Sequence, residues 1–267
     1  MLTRRVLGTG TVVVAAATTG ALLVGLNAGS ASSGARPAAA KAQAVAAKPR
    51  PLAGKVIVID PGHNGLNYKY PKVINRKVPA GPKKKACDTT GTATSSGYAE
   101  HAFTFDMAQR LAKILRAQGA TVRLTRPNNR GVGPCINERA AIANRLRAHA
   151  AISIHADGAP SSRRGFHVIL PGYVKGYTGP IVKPSKRLGY DVRAAFRKVQ
   201  PYANYVGGDG LDVRTDLGGL NMSKVPKVFI ECGNMRNRTD ATRLKSASWR
   251  QKAAQRLAVG LGVYLRR

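Results

Sequence analysis

The sequence predicts a single α/β domain with a mostly parallel central sheet flanked by helices on both faces. Three observations carry that expectation. From Gly54 onward short apolar runs alternate with helical patterns, the order of a sheet built with crossover helices. Three of those runs, at Val56–Asp60, Ala151–His155 and Val228–Glu231, are almost continuously apolar and stop at a polar residue, which suits strands covered on both faces. A chain of 267 residues, 43% hydrophobic and 21% charged, is also long enough to bury a core without disulfide staples.

The expected strands are Val56–Asp60, Val122–Thr125, Ala151–His155, Phe166–Leu170 and Val228–Glu231. Helices are expected at about Tyr98–Gln118, Glu138–Ala148, Ser185–Lys198 and Trp249–Arg266. In the last of these, Ser248 is the candidate N-cap, and Trp249, Ala253, Leu257, Leu261 and Leu265 recur every four residues along one face. Between the first strand and the first helix lies a Lys-rich insertion, residues 64–97, with no obvious secondary structure; connections this long are usually functional or disordered.

Upstream, Met1-Leu-Thr-Arg-Arg5 precedes an uncharged stretch from Val6 to Leu26 and then small residues up to Ala31. A basic start, an apolar middle and a small-residue exit make residues 1–31 a signal peptide, with an uncleaved single-span anchor as the alternative. Thr3-Arg4-Arg5-Val6-Leu7 also resembles a twin-arginine export signal. Residues 32–53 are rich in Ala, Pro and Lys and form a linker, leaving 54–267 as the catalytic domain. The expected location is therefore outside the membrane, in the wall, a periplasm-like space or the medium.

The chain carries 44 Lys+Arg against 12 Asp+Glu, a net charge of +32, which excludes an acidic or near-neutral globule. Outside the cell such a charge attracts anionic surfaces such as phosphate-bearing wall polymers, through a long-range force that salt weakens. Nucleic acid is not an expected partner, since only 6% of residues are aromatic and single-strand binders interleave stacking rings with charge. No protein partner is identifiable. Three cysteines permit three single pairings; in an oxidising compartment Cys87 of the insertion pairs with Cys135 of a Gly/Pro-containing loop, and Cys232, following a buried strand, stays free.

The chemistry lies where the apolar strands turn polar. Val56-Ile-Val-Ile-Asp60-Pro-Gly-His63 delivers a histidine just past a strand, Ala151-Ile-Ser-Ile-His155 ends in a second, and Val228-Phe-Ile-Glu231 ends in a glutamate. Ligands of open α/β sheets bind beyond the carboxyl ends of strands. Glu100 falls on the inward stripe of the first helix, three residues before Phe103, where an unpaired carboxylate is costly to bury and a cation relieves the cost. Two neutral imidazoles and one carboxylate form a common catalytic zinc set, so His63, Glu100 and His155 are the candidate Zn2+ ligands. Glu231 is then the candidate general base. His101 and His149 are expected at the surface, His167 has no assigned face, and the glycine-dense stretch 207–221 is a candidate groove wall rather than a nucleotide fingerprint.

From Lys55 to the C-terminus the chain resembles the zinc-dependent N-acetylmuramoyl-L-alanine amidases of the amidase-3 type. The resemblance rests on six pieces in the family's order: Val-Ile-Asp-Pro-Gly-His63, Glu100-His-Ala-Phe-Thr-Phe-Asp-Met-Ala, Val122-Arg-Leu-Thr-Arg126, Glu138-Arg-Ala-Ala-Ile-Ala-Asn144, Ser153-Ile-His-Ala-Asp157 and Val228-Phe-Ile-Glu231-Cys-Gly-Asn. It implies zinc on His63, Glu100 and His155, Glu231 as catalytic acid/base, peptidoglycan as substrate, and cleavage between N-acetylmuramic acid and the L-alanine of the stem peptide. Arg126 and Arg139 are candidates for steadying charge on substrate. The chain departs from the family's pattern at Thr104 and Asp157, where asparagine is common. Rival readings are a zinc carboxypeptidase or endopeptidase on wall peptides and a non-catalytic wall-binding module.

The charge imbalance makes wall retention electrostatic. The protein bound to isolated walls at low salt is expected to elute as ionic strength rises, read as the bound fraction across a salt gradient; retention indifferent to salt contradicts it.

Overall fold

The computed structural model describes residues 50–267. The expected signal peptide and all but the last few residues of the linker lie outside the described residues. No described helix is long and apolar enough to cross a membrane.

In chain order the elements are β1 (Val56–Pro61), α1 (Pro71–Ile74), β2 (Lys77–Pro79), β3 (Lys84–Ala86), α2 (Glu100–Ala117), β4 (Thr121–Leu124), α3 (Ile136–Arg145), β5 (Ala150–Asp157), β6 (His167–Pro171), α4 (Gly179–Phe196), β7 (Leu211–Arg214), α5 (Gly218–Asn221), β8 (Lys227–Asn234), α6 (Arg238–Lys245) and α7 (Ala247–Leu265). Six strands form one sheet in the order β4-β1-β5-β8-β6-β7, and β2 pairs with β3 in a separate hairpin. Within the six-stranded sheet only β6 against β8 is antiparallel. The mostly parallel α/β sheet is thus as expected.

Strand register sorts the side chains by face. Ile57, Ile59, Ile152, Ile154, Val228 and Ile230 share one face, because alternate residues of paired strands point the same way. They pack against Phe103 and Met107 of α2, Leu188 and Phe196 of α4, and Leu257 and Leu261 of α7 in one buried cluster. The opposite face is apolar only at its start, where Val58 and Ala151 meet Ala143 and Val225. Farther along, the same face carries Asp60, Ser153, His155, Phe229 and Glu231. Three long helices therefore cover the apolar face, and α3, α5 and the insertion leave a trough over the polar one.

Several boundaries differ from expectation for identifiable reasons. β5 and β8 run on to Asp157 and Asn234, so His155 and Glu231 project from the sheet face and not from free strand ends. Helix α4 starts at Gly179 although Pro184 lies inside it. Pro180 sits in the first turn, where its missing N–H is no loss, and Pro184 removes only one early hydrogen bond. The cap of α7 is Ser246, whose hydroxyl accepts from the Trp249 N–H at 3.3 Å, while Ser248 bonds Ser246. β7 and α6 were not foreseen. α6 has little apolar content, and its order comes from Asn237, which accepts from the Asp240 N–H, and from buried Asp240 and Leu244.

The insertion is ordered as a 3-10 turn (Asn67–Lys69), α1 and the β2–β3 hairpin. The Cys87–Cys135 disulfide ties it to the start of α3, and Cys232 is buried and free, as expected. With a sequence separation of 48, chain-entropy reasoning gives the crosslink about 4 kcal/mol. Replacing Cys87 and Cys135 by alanine is expected to lower the urea midpoint accordingly; an unchanged midpoint contradicts it.

Candidate metal centre and catalytic cleft

The turn after β1 presents His63. Its φ is +58°, a left-handed conformation that costs a non-glycine residue of order 1–3 kcal/mol and persists only where the surroundings enforce it. Those surroundings are visible. The Gly62 N–H donates to the Ile154 carbonyl at 3.0 Å, and the Thr104 hydroxyl donates to the Gly62 carbonyl at 2.8 Å. A Cβ on Gly62 would overlap the His155 ring, so the turn admits only glycine there.

The His63 Nδ1 lies 3.0 Å from the Thr89 carbonyl and 3.5 Å from Asp88. A carbonyl can only accept, so Nδ1 carries the hydrogen and Nε2 is turned toward Glu100 at 3.1 Å. Such an outer partner fixes tautomer and ring orientation in metal-binding histidines.

Glu100 is the first residue of α2 and is 4% exposed. One carboxylate oxygen accepts from the Thr92 N–H at 2.9 Å; the other accepts from the Ala156 N–H at 3.2 Å and lies 3.0 Å from His155 Nδ1. The His155 ring stacks on Phe229 with centroids 4.0 Å apart and meets His63 edge-on at 4.8 Å. One ligand atom from each of His63, Glu100 and His155 lies within 4.8 Å of the others, a group that could hold a metal ion. The donor types fit zinc.

The charges fit as well. Burial alone would raise the Glu100 pKa, but the two histidines outweigh it and hold the carboxyl well below its usual range. Burial would lower that of His63, yet Glu100 and Asp88 hold it up at about 10. His155 is pushed down, chiefly by burial, and stays neutral. Glu231 behaves in the opposite way from Glu100: burial first, then Glu100 and Asp157, push its pKa well up, and its Oε2 is buried without a hydrogen-bond partner among the described residues.

A cavity of about 400 Å³ opens over this group, walled by Ile136 and by Leu217–Leu220 of the glycine-dense segment, with Lys85 and Asp157 at its edge. Arg126 and Arg139, the candidates for steadying charge on substrate, are held under the turn that carries His63, with Arg139 among the residues lining the cavity. Arg126 is fully buried and donates to the carbonyls of Pro61, His101 and Asn128. Arg139, 4% exposed, donates to Asp60, Asp88 and the carbonyls of Pro61 and His63. Both brace the Pro-Gly-His turn from beneath, their donors already engaged. His149 is exposed, as expected, while His101 is half-buried against Asn129. Sequence reasoning missed Asp88 and Thr89, whose place beside His63 follows from the folding of the insertion and from no local pattern.

Residues 57–262 match the model of the N-acetylmuramoyl-L-alanine amidase family. The chain belongs to that family. N-acetylmuramoyl-L-alanine amidase Rv3717 of Mycobacterium tuberculosis is 43% identical over 222 residues, spanning 82% of this chain and 90% of the relative. The crystal structure of the amidase Ami1 from Mycobacterium smegmatis superposes with a TM-score of 0.76 at 41% identity, covering 80% of this chain and 98% of that one. The probable cell wall amidase LytH of Staphylococcus aureus is 27% identical across 80% of this chain and 60% of its own length.

Metal binding at this amidase centre must displace a proton. Below about pH 10 the metal-free His63 is protonated, whereas Glu100 is already ionised and His155 neutral. Calorimetric titration with zinc near pH 7, in buffers of differing ionisation enthalpy, is expected to show His63's proton released and affinity rising with pH; tightening of the complex on acidification contradicts it.

Proposed function

We propose that this amidase hydrolyses the bond between N-acetylmuramic acid and the L-alanine of the peptidoglycan stem peptide, with zinc held by His63, Glu100 and His155 and with Glu231 as acid/base. The observation that carries the reading is the meeting of those three donors beside Glu231, whose Oε2 has no hydrogen-bond partner among the described residues. What supports zinc over harder cations is the pair of imidazoles; magnesium and calcium take oxygen ligands. Bound zinc supplies Lewis-acid polarisation of the scissile carbonyl and acidifies water.

The chain's own residues do the rest. Glu231 accepts a proton from the attacking water and passes it to the departing L-alanine nitrogen, a transfer worth roughly 10²–10⁴-fold. A pKa raised by burial and by Glu100 and Asp157 brings the carboxyl closer to neutrality, where a group can both take and return a proton. Phe229 backs His155 and helps exclude water from that side of the metal ligands. Ile136 and Leu217–Leu220 supply apolar walls for the muramyl and alanyl groups.

The domain acts outside the membrane after loss of residues 1–31, with the linker of residues 32–53 preceding it. Support comes from the layout of the N-terminus and from a disulfide, which oxidising compartments favour. Its unpaired basic surface holds it to anionic wall polymers.

The test is peptidoglycan digestion with identified products. Wild-type protein is expected to release stem peptides with free L-alanine N-termini, to stop on chelation and to recover with zinc. Glu231→Gln is expected to keep its zinc and lose about 10²–10⁴ in turnover. Products cut within the peptide would favour the peptidase reading, and full turnover by Glu231→Gln would remove Glu231 from the role.

A further inference from the structure

One buried imidazole takes no part in the mechanism above. The antiparallel register of β6 and β8 sets His167 directly opposite Glu231. Directly paired residues share a sheet face, with Cβ atoms about 4.5–5.5 Å apart. His167 is 4% exposed, and its Nδ1 has no hydrogen-bond partner among the described residues. The Oε2 of Glu231 is in the same condition. Two buried polar atoms, one able to donate and one able only to accept when ionised, thus stand on neighbouring side chains, each desolvated without a partner.

The Tyr205 ring meets His167 edge-on at 5.8 Å, and the Tyr205 hydroxyl donates its proton to Asp157 at 2.9 Å, so the tyrosine offers the imidazole no donor. Burial keeps the ring neutral, with one N–H and one lone pair. A neutral donor suits this place. Lysine or arginine there would lock the carboxylate into an ion pair, whereas an imidazole N–H can orient it and leave its other oxygen to the reaction.

We propose that His167 is a positioning residue for Glu231: no hydrogen bond joins them in this structure, and a side-chain rotation lets a ring N–H donate to the ionised Glu231 carboxylate and fix the orientation in which that carboxylate receives the proton of the attacking water. The assignment rests on Glu231 being the acid/base. His167 touches neither substrate nor metal in this role, and its effect is on turnover and not on substrate affinity.

The test compares His167→Met, which removes the donor at similar volume, with His167→Gln, which keeps an N–H donor, and both with Glu231→Gln and the His167→Met/Glu231→Gln double variant. His167→Met is expected to lower kcat by roughly tenfold to hundredfold through misplacement of the carboxylate, with KM, zinc content and Tm near wild type. His167→Gln is expected to recover part of the loss, and the double variant to be no slower than Glu231→Gln alone. Unchanged kcat in His167→Met, or equal losses in the methionine and glutamine variants, would overturn the proposal while leaving the collapse of Glu231→Gln intact. Full activity of Glu231→Gln would instead overturn the acid/base reading beneath it. The ¹⁵N NMR shifts of the His167 ring give a readout that needs no substitution at that position: they are expected to change on Glu231→Gln, and identical shifts would contradict the hydrogen bond.

Discussion

A carboxylate buried between two imidazoles is the constraint on which the rest depends. Glu100 sits at the first turn of a long helix, nearly inaccessible, and takes backbone N–H groups from Thr92 and Ala156 as well as the two rings. Burying such a charge without compensation costs several kcal/mol. Compensation requires that the β1 turn, the end of β5, the start of α2 and the insertion all arrive together. The left-handed His63, the glycine pressed against His155 and the buried arginines under the turn each serve that arrival.

Beneath the metal-ligand group lies a second polar layer. Asp60 accepts from Arg139, Ser153, Thr125 and the almost fully buried Lys227. Burial would raise its pKa, but these partners outweigh burial and hold its carboxyl far below the carboxylate range. Satisfied networks of this kind specify one arrangement, whereas removing a single partner leaves an unpaired charge and is strongly destabilising. The sheet is therefore two materials: an apolar face bonded to three helices, and a polar face whose internal ion pairs hold the cleft in shape.

Much of this was legible in the sequence. The runs ending at His155 and Glu231 announced their strands, because strands buried on both sides are nearly continuous in apolar residues, and both polar ends line the cleft. Glu100 declared itself by sitting on an apolar helix stripe. The disulfide followed from the two cysteines lying in loops. What stayed hidden depended on tertiary contact. The insertion's order comes from a hairpin and a crosslink, not from periodicity, so Asp88 and Thr89 could not be tied to His63. Nothing in the sequence tied Arg126 and Arg139 to the turn, where the Pro61 carbonyl engages both and Asp60 engages Arg139. His167 had no readable face until the antiparallel register put it opposite Glu231.

The family assignment and the cleft geometry converge on one claim, that these three side chains grip one ion beside Glu231. Diffraction from crystals grown with zinc, with data collected on both sides of the zinc absorption edge, tests it most directly. The account predicts a single strong anomalous peak within bonding distance of nitrogens of His63 and His155 and an oxygen of Glu100, with the Glu231 carboxyl facing it uncoordinated. A peak elsewhere on the protein, or none in crystals of active material, would contradict it.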